Sequence, residues 1–180
     1  AIVLMGVQLN ASVLELINYK TVLILITLII TTILSAKIIG KFFNLSPTMS
    51  LLIGVGNGIC GSSAIVSTSS VIGADEKEVG FSIAVINILG AIAIFILPGL
   101  IVLLGVDTLY HQGVLIGGTI QAVGQVTAAG FIVGDEVGKL AVLVKMVRIL
   151  MLGPVLIIIT ILFFKNSIKS GNVTSPSYKK

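Results

Sequence analysis

The stretch Gly54-Val55-Gly56-Asn57-Gly58-Ile59-Cys60-Gly61-Ser62-Ser63 decides how this chain is read. It sits inside Phe42–Ala74, a run without a charged residue. That run is too long for one membrane crossing, which takes about 20 residues. Each glycine would cost a continuous helix about 1 kcal/mol relative to alanine. Unwinding over Asn57–Ser62 would free N–H groups at the start of a half-helix beginning at Ser62 or Ser63. Those N–H groups, with the positive end of the helix dipole, favour an anion. The hydroxyls of Ser62 and Ser63 add donors. A purely structural reading competes, because small residues also let membrane helices pack closely.

A second break follows at Gly117-Gly118-Thr119-Ile120-Gln121-Ala122-Val123-Gly124-Gln125. Gln121 and Gln125 would share a face of a continuous helix, and a buried amide without a partner costs several kcal/mol in an apolar medium. They could pair with each other, pair across helices, or, with Thr119, line a substrate path. Leu52-Ile53-Gly54 and Gly61 match Leu115-Ile116-Gly117 and Gly124 at a constant offset of 63. Each break is followed by an acidic loop (Asp75-Glu76 and Asp135-Glu136) and a long span holding a proline, Pro98 or Pro154. Paired units built around interrupted helices are a feature of repeat-based transporters.

Lys145 and Arg148 lie one turn apart inside the apolar segment Val137–Phe164. At 1.5 Å per residue they are roughly 12 to 17 Å into that helix, near the bilayer middle. Two adjacent cations repel unless something negative is close, and no acidic residue falls within the confident spans. Their partner is a bound anion, the carbonyl end of a broken helix, or an acid on another segment. Snorkelling to the headgroups is the competing explanation, but Lys145 has a long way to reach. Intramembrane ionisable residues usually mark a functional site.

Composition agrees with a membrane setting. The 180 residues include 11 Lys+Arg and 7 Asp+Glu, a net charge of +4, and the mean hydropathy is +1.19. Such a chain cannot cover itself with a polar exterior. The weak, segregated positive charge excludes a nucleic-acid partner. The single cysteine, Cys60, cannot form an internal disulfide. No metal-ligand spacing, nucleophile motif or phosphate loop is present, so neither a cofactor nor an enzymatic activity is expected. Asn87 reads as an interhelical hydrogen bond and His111 as an interfacial loop residue.

The expected fold is all-α, a bundle of about six transmembrane helices, two of them interrupted at the glycine-rich breaks. Ala1 to about Asn10 reads as the exit end of a span and Leu14–Lys20 as an interfacial stretch. Thr21–Ile39, Phe42–Ala74, Val79–Leu104, Gln112–Gly134 and Val137–Phe164 follow, with Ser46 and Pro47 as cap and first turn within the second. Residues 1–164 thus form the membrane domain, and Lys165–Lys180 a polar basic tail. If every segment crosses once, Lys37, Lys41, Lys165, Lys169, Lys179 and Lys180 share one side. Lys20, Lys77 and Lys139 fall on the other, with Asp75, Glu76, Glu78, Asp135 and Glu136. The positive-inside rule then places the tail in the cytoplasm. A re-entrant hairpin at one break would flip the sides after it.

Three stretches carry a family resemblance: Gly58-Ile59-Cys60-Gly61-Ser62-Ser63-Ala64-Ile65, Thr119–Val126 and Val144-Lys145-Met146-Val147-Arg148-Ile149-Leu150-Met151. Together with Ile2–Asn10 they resemble the signatures of the YeiH-like family of proposed sulfate exporters. The resemblance covers nearly the whole chain, while family members are usually nearly twice as long. It implies a multi-pass protein of the bacterial inner membrane, with further spans before Ala1 and after Lys180. It implies an anionic substrate, of which sulfate is one candidate.

The leading expectation is a secondary transporter of a small anion, working by alternating access. Asn57, Ser62, Ser63, Thr119, Gln121, Gln125, Lys145 and Arg148 are its candidate site residues. A cation- or proton-coupled antiporter is the alternative, with a lysine balancing broken-helix carbonyls and an acid on an absent span. A non-transporting scaffold is the third.

Overall fold

The computed structural model describes the backbone of residues 19–169 and side chains through residue 163. The readings of Ala1–Asn10, of most of Leu14–Lys20 and of the tail beyond Lys169 fall outside the described residues. Among the described residues every regular element is a helix, in the order α1 (Tyr19–Phe42), α2 (Pro47–Gly58), α3 (Ser62–Ile72), α4 (Glu76–Leu103), α5 (Leu109–Thr119), α6 (Val123–Val133), α7 (Asp135–Leu150) and α8 (Leu152–Lys169). Three stretches are long and apolar enough to cross a membrane: Tyr19–Phe42, Glu76–Leu103 and Asp135–Phe163. The four remaining helices are two broken pairs. Each half, at 11 or 12 residues, is about 17 Å long, roughly half a hydrocarbon core. An all-α membrane protein with two interrupted segments is what the sequence predicts.

Local chemistry sets the helix ends. Ser46 caps α2 by accepting from the Met49 N–H at 3.0 Å, with Pro47 in the first turn. Asp75 caps α4 through the Lys77 N–H at 2.8 Å. The basic segment after Phe164 stays helical to Lys169, so the membrane helix continues past the expected start of the tail. His111 lies in the first turns of α5 and is exposed, where the sequence placed it in a loop.

The path of the chain departs from the single-crossing expectation. Helix α2 runs antiparallel to α1: a Cβ on Gly54 would meet Ala36 and Ile33, and one on Gly58 would meet Ile29 and Thr32. Ser46 at the start of α2 donates to the Glu78 carboxylate at the start of α4. Both helices therefore begin on one side, and α3 must carry the chain back to it. Gly56 on α2 faces Ile65 on α3, as arms of one hairpin do.

The second pair mirrors the first. Thr21 on α1 hydrogen-bonds Tyr110 on α5 at 2.7 Å, which puts the start of α5 at the opposite end of α1. Gly113 faces Leu140, and Gly117 faces Ala141 and Val144, so α5 and α7 run parallel. Gly130 abuts Gly138 and Ala141, so α6 runs back antiparallel to α7. Phe42–Ala74 and Gln112–Gly134 are thus two re-entrant hairpins entering from opposite sides. Two hairpins cancel in the side count: the chain after Phe164 stays with Lys41, whereas Lys77, Asp75, Glu76 and Glu78 move to the Lys41 side.

The physical reason is length. An 11-residue half-helix cannot finish a crossing, and the tight break at residues 59–61 turns the chain instead. Opposed hairpins also explain the 63-residue echo, since Gly54 and Gly117 are the close-packing positions on the two entering arms. Apolar packing fixes each hairpin to its neighbours. Leu52, Ile65 and Ile86 hold the first to α4; Ile116, Ile120, Val126, Ala129 and Ala141 hold the second to α7.

Candidate functional site

The hairpin tips meet. A Cβ on Gly61 would lie 3.5 Å from the Gln121 Cβ, and the Gln121 Nε2 donates to Asn57 Oδ1. Gly61 turns the first tip with φ 75 and ψ −127, a conformation essentially confined to glycine. The second tip needs no such turn, because Ile120 and Ala122 are extended.

Two entering arms that point at each other bring two helix C-termini together, each carrying about half a negative charge and unpaired carbonyls. Lys145 and Arg148 supply what that junction lacks. Lys145 Nζ donates to Ile59 O at 2.6 Å and to Ile120 O at 2.9 Å. Arg148 donates from Nε to Gly58 O at 2.7 Å and from Nη2 to Asn57 O at 2.6 Å. Its Nη1 faces Ile120 O at 3.3 Å and Gly117 O at 3.5 Å. Both cations are fully buried. Of the three partners the sequence allowed, the carbonyl ends of the broken helices are the ones in contact. Neither side chain snorkels.

The returning arms bring together the opposite ends. Helices α3 and α6 start at the tips, and neither N-terminus has a side-chain cap. Their first intrahelical bonds are Ile65 N–H to Gly61 O and Val126 N–H to Ala122 O, which leaves the preceding N–H groups available. Asn87, on the middle of α4, lies between them. Its Oδ1 accepts from Ser62 Oγ at 3.5 Å, and its backbone carbonyl accepts from Gln125 Nε2 at 3.4 Å. Ser63 and Gly124 are exposed.

Six of the predicted residues therefore cluster around the tips through hydrogen bonds: Asn57, Gln121, Lys145 and Arg148 on the carbonyl face, and Ser62 and Gln125 on the amide face. Ser63 joins that second face by position, in the first turn of α3. Thr119 ends α5 with its side chain exposed and enters none of these bonds. Gln121 and Gln125 do not pair with each other. Gln121 Oε1 and Gln125 Oε1 are both buried without a hydrogen-bond partner, which is costly and uncommon in a native structure. Asn87 makes the interhelical contact expected of it, but its place between two N-termini was not visible from its spacing. The carbonyl acceptors of Gly58, Ile59, Gly117 and Ile120 were also missed, since backbone groups leave no side-chain signature. Among the described residues no cluster of His, Cys, Asp and Glu suits a metal ion.

The family model described as "Conserved hypothetical protein 698" matches residues 1–178. A UPF0324 membrane protein of Bartonella henselae is 36% identical over 93% of this chain and 48% of its own length. One from Clostridium perfringens is 33% identical over 96% of this chain and 50% of its own. One from Brucella suis is 44% identical over 69% of this chain and 37% of its own. The chain belongs to the UPF0324 membrane-protein family. The family resemblance carried by the tip motifs and the Lys-x-x-Arg pair is borne out by this membership. The UPF0324 chain described here spans about half the length of the curated relatives it matches. No solved structure matches it.

Proposed function

We propose that this chain is the hairpin-bearing part of a secondary transporter for a small anion. The observation that supports this best is the meeting of two uncapped helix N-termini at Asn87, at half-membrane depth. N–H groups at Ser62, Ser63, Val123 and Gly124 present donors and partial positive charge to one spot. The opposed C-termini, which would otherwise hold a cation, are already occupied by Lys145 and Arg148. The local balance of charge is thus positive, and a small anion such as sulfate or a carboxylate complements it. In this reading Lys145 and Arg148 act from behind the tips and do not touch the substrate. Alternating access would come from one hairpin arm withdrawing while the other stays, as opposed repeats allow.

The test is flux by the full-length protein in proteoliposomes, with sulfate and small carboxylates offered one at a time. One of these anions should move, and Asn87→Ala should slow it at least severalfold while the protein stays folded. Undiminished flux in Asn87→Ala would overturn the site assignment.

One observation favours a second reading. A lysine balancing broken-helix carbonyls is what a cation- or proton-coupled antiporter would use, and Lys145 makes those bonds. That reading expects sodium- or pH-dependent exchange indifferent to added anions. For cellular placement we infer the bacterial inner membrane with the Lys41 side cytoplasmic, because Lys37, Lys41, Lys77 and Lys165 gather there.

A further inference from the structure

A trough of about 370 Å³ runs along the first hairpin. Helix α1 forms one wall through Thr31, Thr32 and Ser35, α4 contributes Leu89, and Ser50 and Asn57 of α2 line the floor. Leu45, in the loop on the Lys41 side, lies at one end, and Asn57 at the tip lies at the other. The polar residues of α1 fall at i, i+1 and i+4, and those of α2 at i and i+7, so each helix turns one polar stripe to the same space. A lipid-facing surface has no use for such stripes, and the other faces of α1 carry Ile30, Leu34 and Ile38, all more than half exposed.

The hydroxyls are not spare structural donors. Thr31, Thr32 and Ser50 give their protons to the backbone of their own helices at 2.8, 2.6 and 2.9 Å, bonding Thr27 O, Leu28 O and Ser46 O. Their oxygens keep lone pairs that water can meet. At the inner end, Asn57 accepts from Gln121, a residue only 6% exposed whose buried Oε1 has no partner. The trough thus ends at Asn57, whose own partner carries an unsatisfied polar atom. Water needs two to four such partners to be held.

We propose that this trough is a hydrated access path for small polar solutes, joining the Lys41-side surface to the hairpin tips. It rests on the transport reading for its purpose but not for its hydration.

The experiment uses the full-length protein in inside-out and right-side-out vesicles, with native cysteines replaced. Thr32→Cys and Ser35→Cys probe the trough; Ile30→Cys and Leu34→Cys probe the outer face of α1 at similar depth. A membrane-impermeant, sulfonate-bearing methanethiosulfonate is added to either side. The trough cysteines should react roughly tenfold faster than the outer-face pair, because only a hydrated thiol ionises readily. They should do so only from the side on which Lys41→Cys reacts. Equal rates at all four positions, or reaction from the opposite side, would overturn the path, as would a trough filled by acyl chains or by another segment and hence unreactive. Anion flux is measured on the same vesicles. Flux without trough labelling defeats the path and leaves the function standing; labelling without flux of any tested anion defeats the function and leaves the path.

Discussion

Lys145 and Arg148 share an acceptor: the carbonyl of Ile120 lies 2.9 Å from the lysine Nζ and 3.3 Å from an arginine Nη. Two cations on adjacent turns of α7 converge on one oxygen because that oxygen ends a helix aimed at another helix end. Repulsion between the pair is offset by the two C-terminal dipoles they bridge. The pair is thus the fastening between two hairpins, and its loss should register first in stability.

Arg148→Met removes the donors from the Asn57 and Gly58 carbonyls in a fully buried setting. Each orphaned group costs about 1–3 kcal/mol, so a loss of roughly 2–6 kcal/mol is expected. Arg148→Lys keeps the charge but not the planar fork that reaches both carbonyls, and should recover only part of it. Thermal unfolding of the full-length protein in detergent measures both. A Tm for Arg148→Met equal to wild type would show that the pair fastens nothing.

Glycines near the first tip should behave unequally. Gly61→Ala forces an alanine into φ 75, ψ −127, at a cost of about 1–3 kcal/mol. Gly58→Ala places its Cβ at 3.7 Å from the nearest atom, an ordinary contact, and should be tolerated. Gly124→Ala meets nothing within 4 Å and should fold normally. Expression level and Tm across the three variants check the ranking, which fails if Gly61→Ala is the mildest.

Much of this was legible in the residues, and the reason is energetic. Glycine clusters and buried cations are expensive in lipid, so their positions at 54–61, 117–124, 145 and 148 mark the centre of the molecule directly. Ser46 and Pro47 announce the start of α2 by cap chemistry. The hairpin turn was harder, because a broken crossing and a re-entrant loop share the same composition. What separates them is contact between Ser46 and Glu78, 32 residues apart, and between Thr21 and Tyr110, 89 apart. Backbone carbonyls as the partners of Lys145 and Arg148 were one of three options; sequence names side chains, and the choice depended on which way two helix ends point.

Gly90 gives the site a test independent of its fastening. A Cβ there would stand 2.7 Å from Gln125 Cδ, so Gly90→Ala must push the amide off α4 and away from the Asn87 carbonyl. The neighbour is the end of a flexible side chain, and stability should fall by less than about 1.5 kcal/mol. Transport should fall far more. Parallel measurement of Tm and anion flux decides it: wild-type flux in Gly90→Ala would remove Gln125 from the substrate site.

The opposed-hairpin path makes a prediction about sidedness that a single-crossing bundle does not share. With both hairpins re-entrant, Lys77→Cys lies on the same side as Lys41→Cys, and Asp107→Cys lies with Asp135→Cys. Were each broken segment to cross the membrane, Lys77→Cys would join Lys20→Cys, and Asp107→Cys would join Lys41→Cys. These positions are exposed or half-exposed and near helix ends, so substitution there should stay within about 0.5 kcal/mol of wild type. An impermeant maleimide applied to right-side-out and inside-out vesicles reads the side of each. Lys77 and Lys41 labelled from opposite faces would show that α3 continues across the bilayer, and with it the meeting of two N-termini at Asn87 would lose its geometric basis.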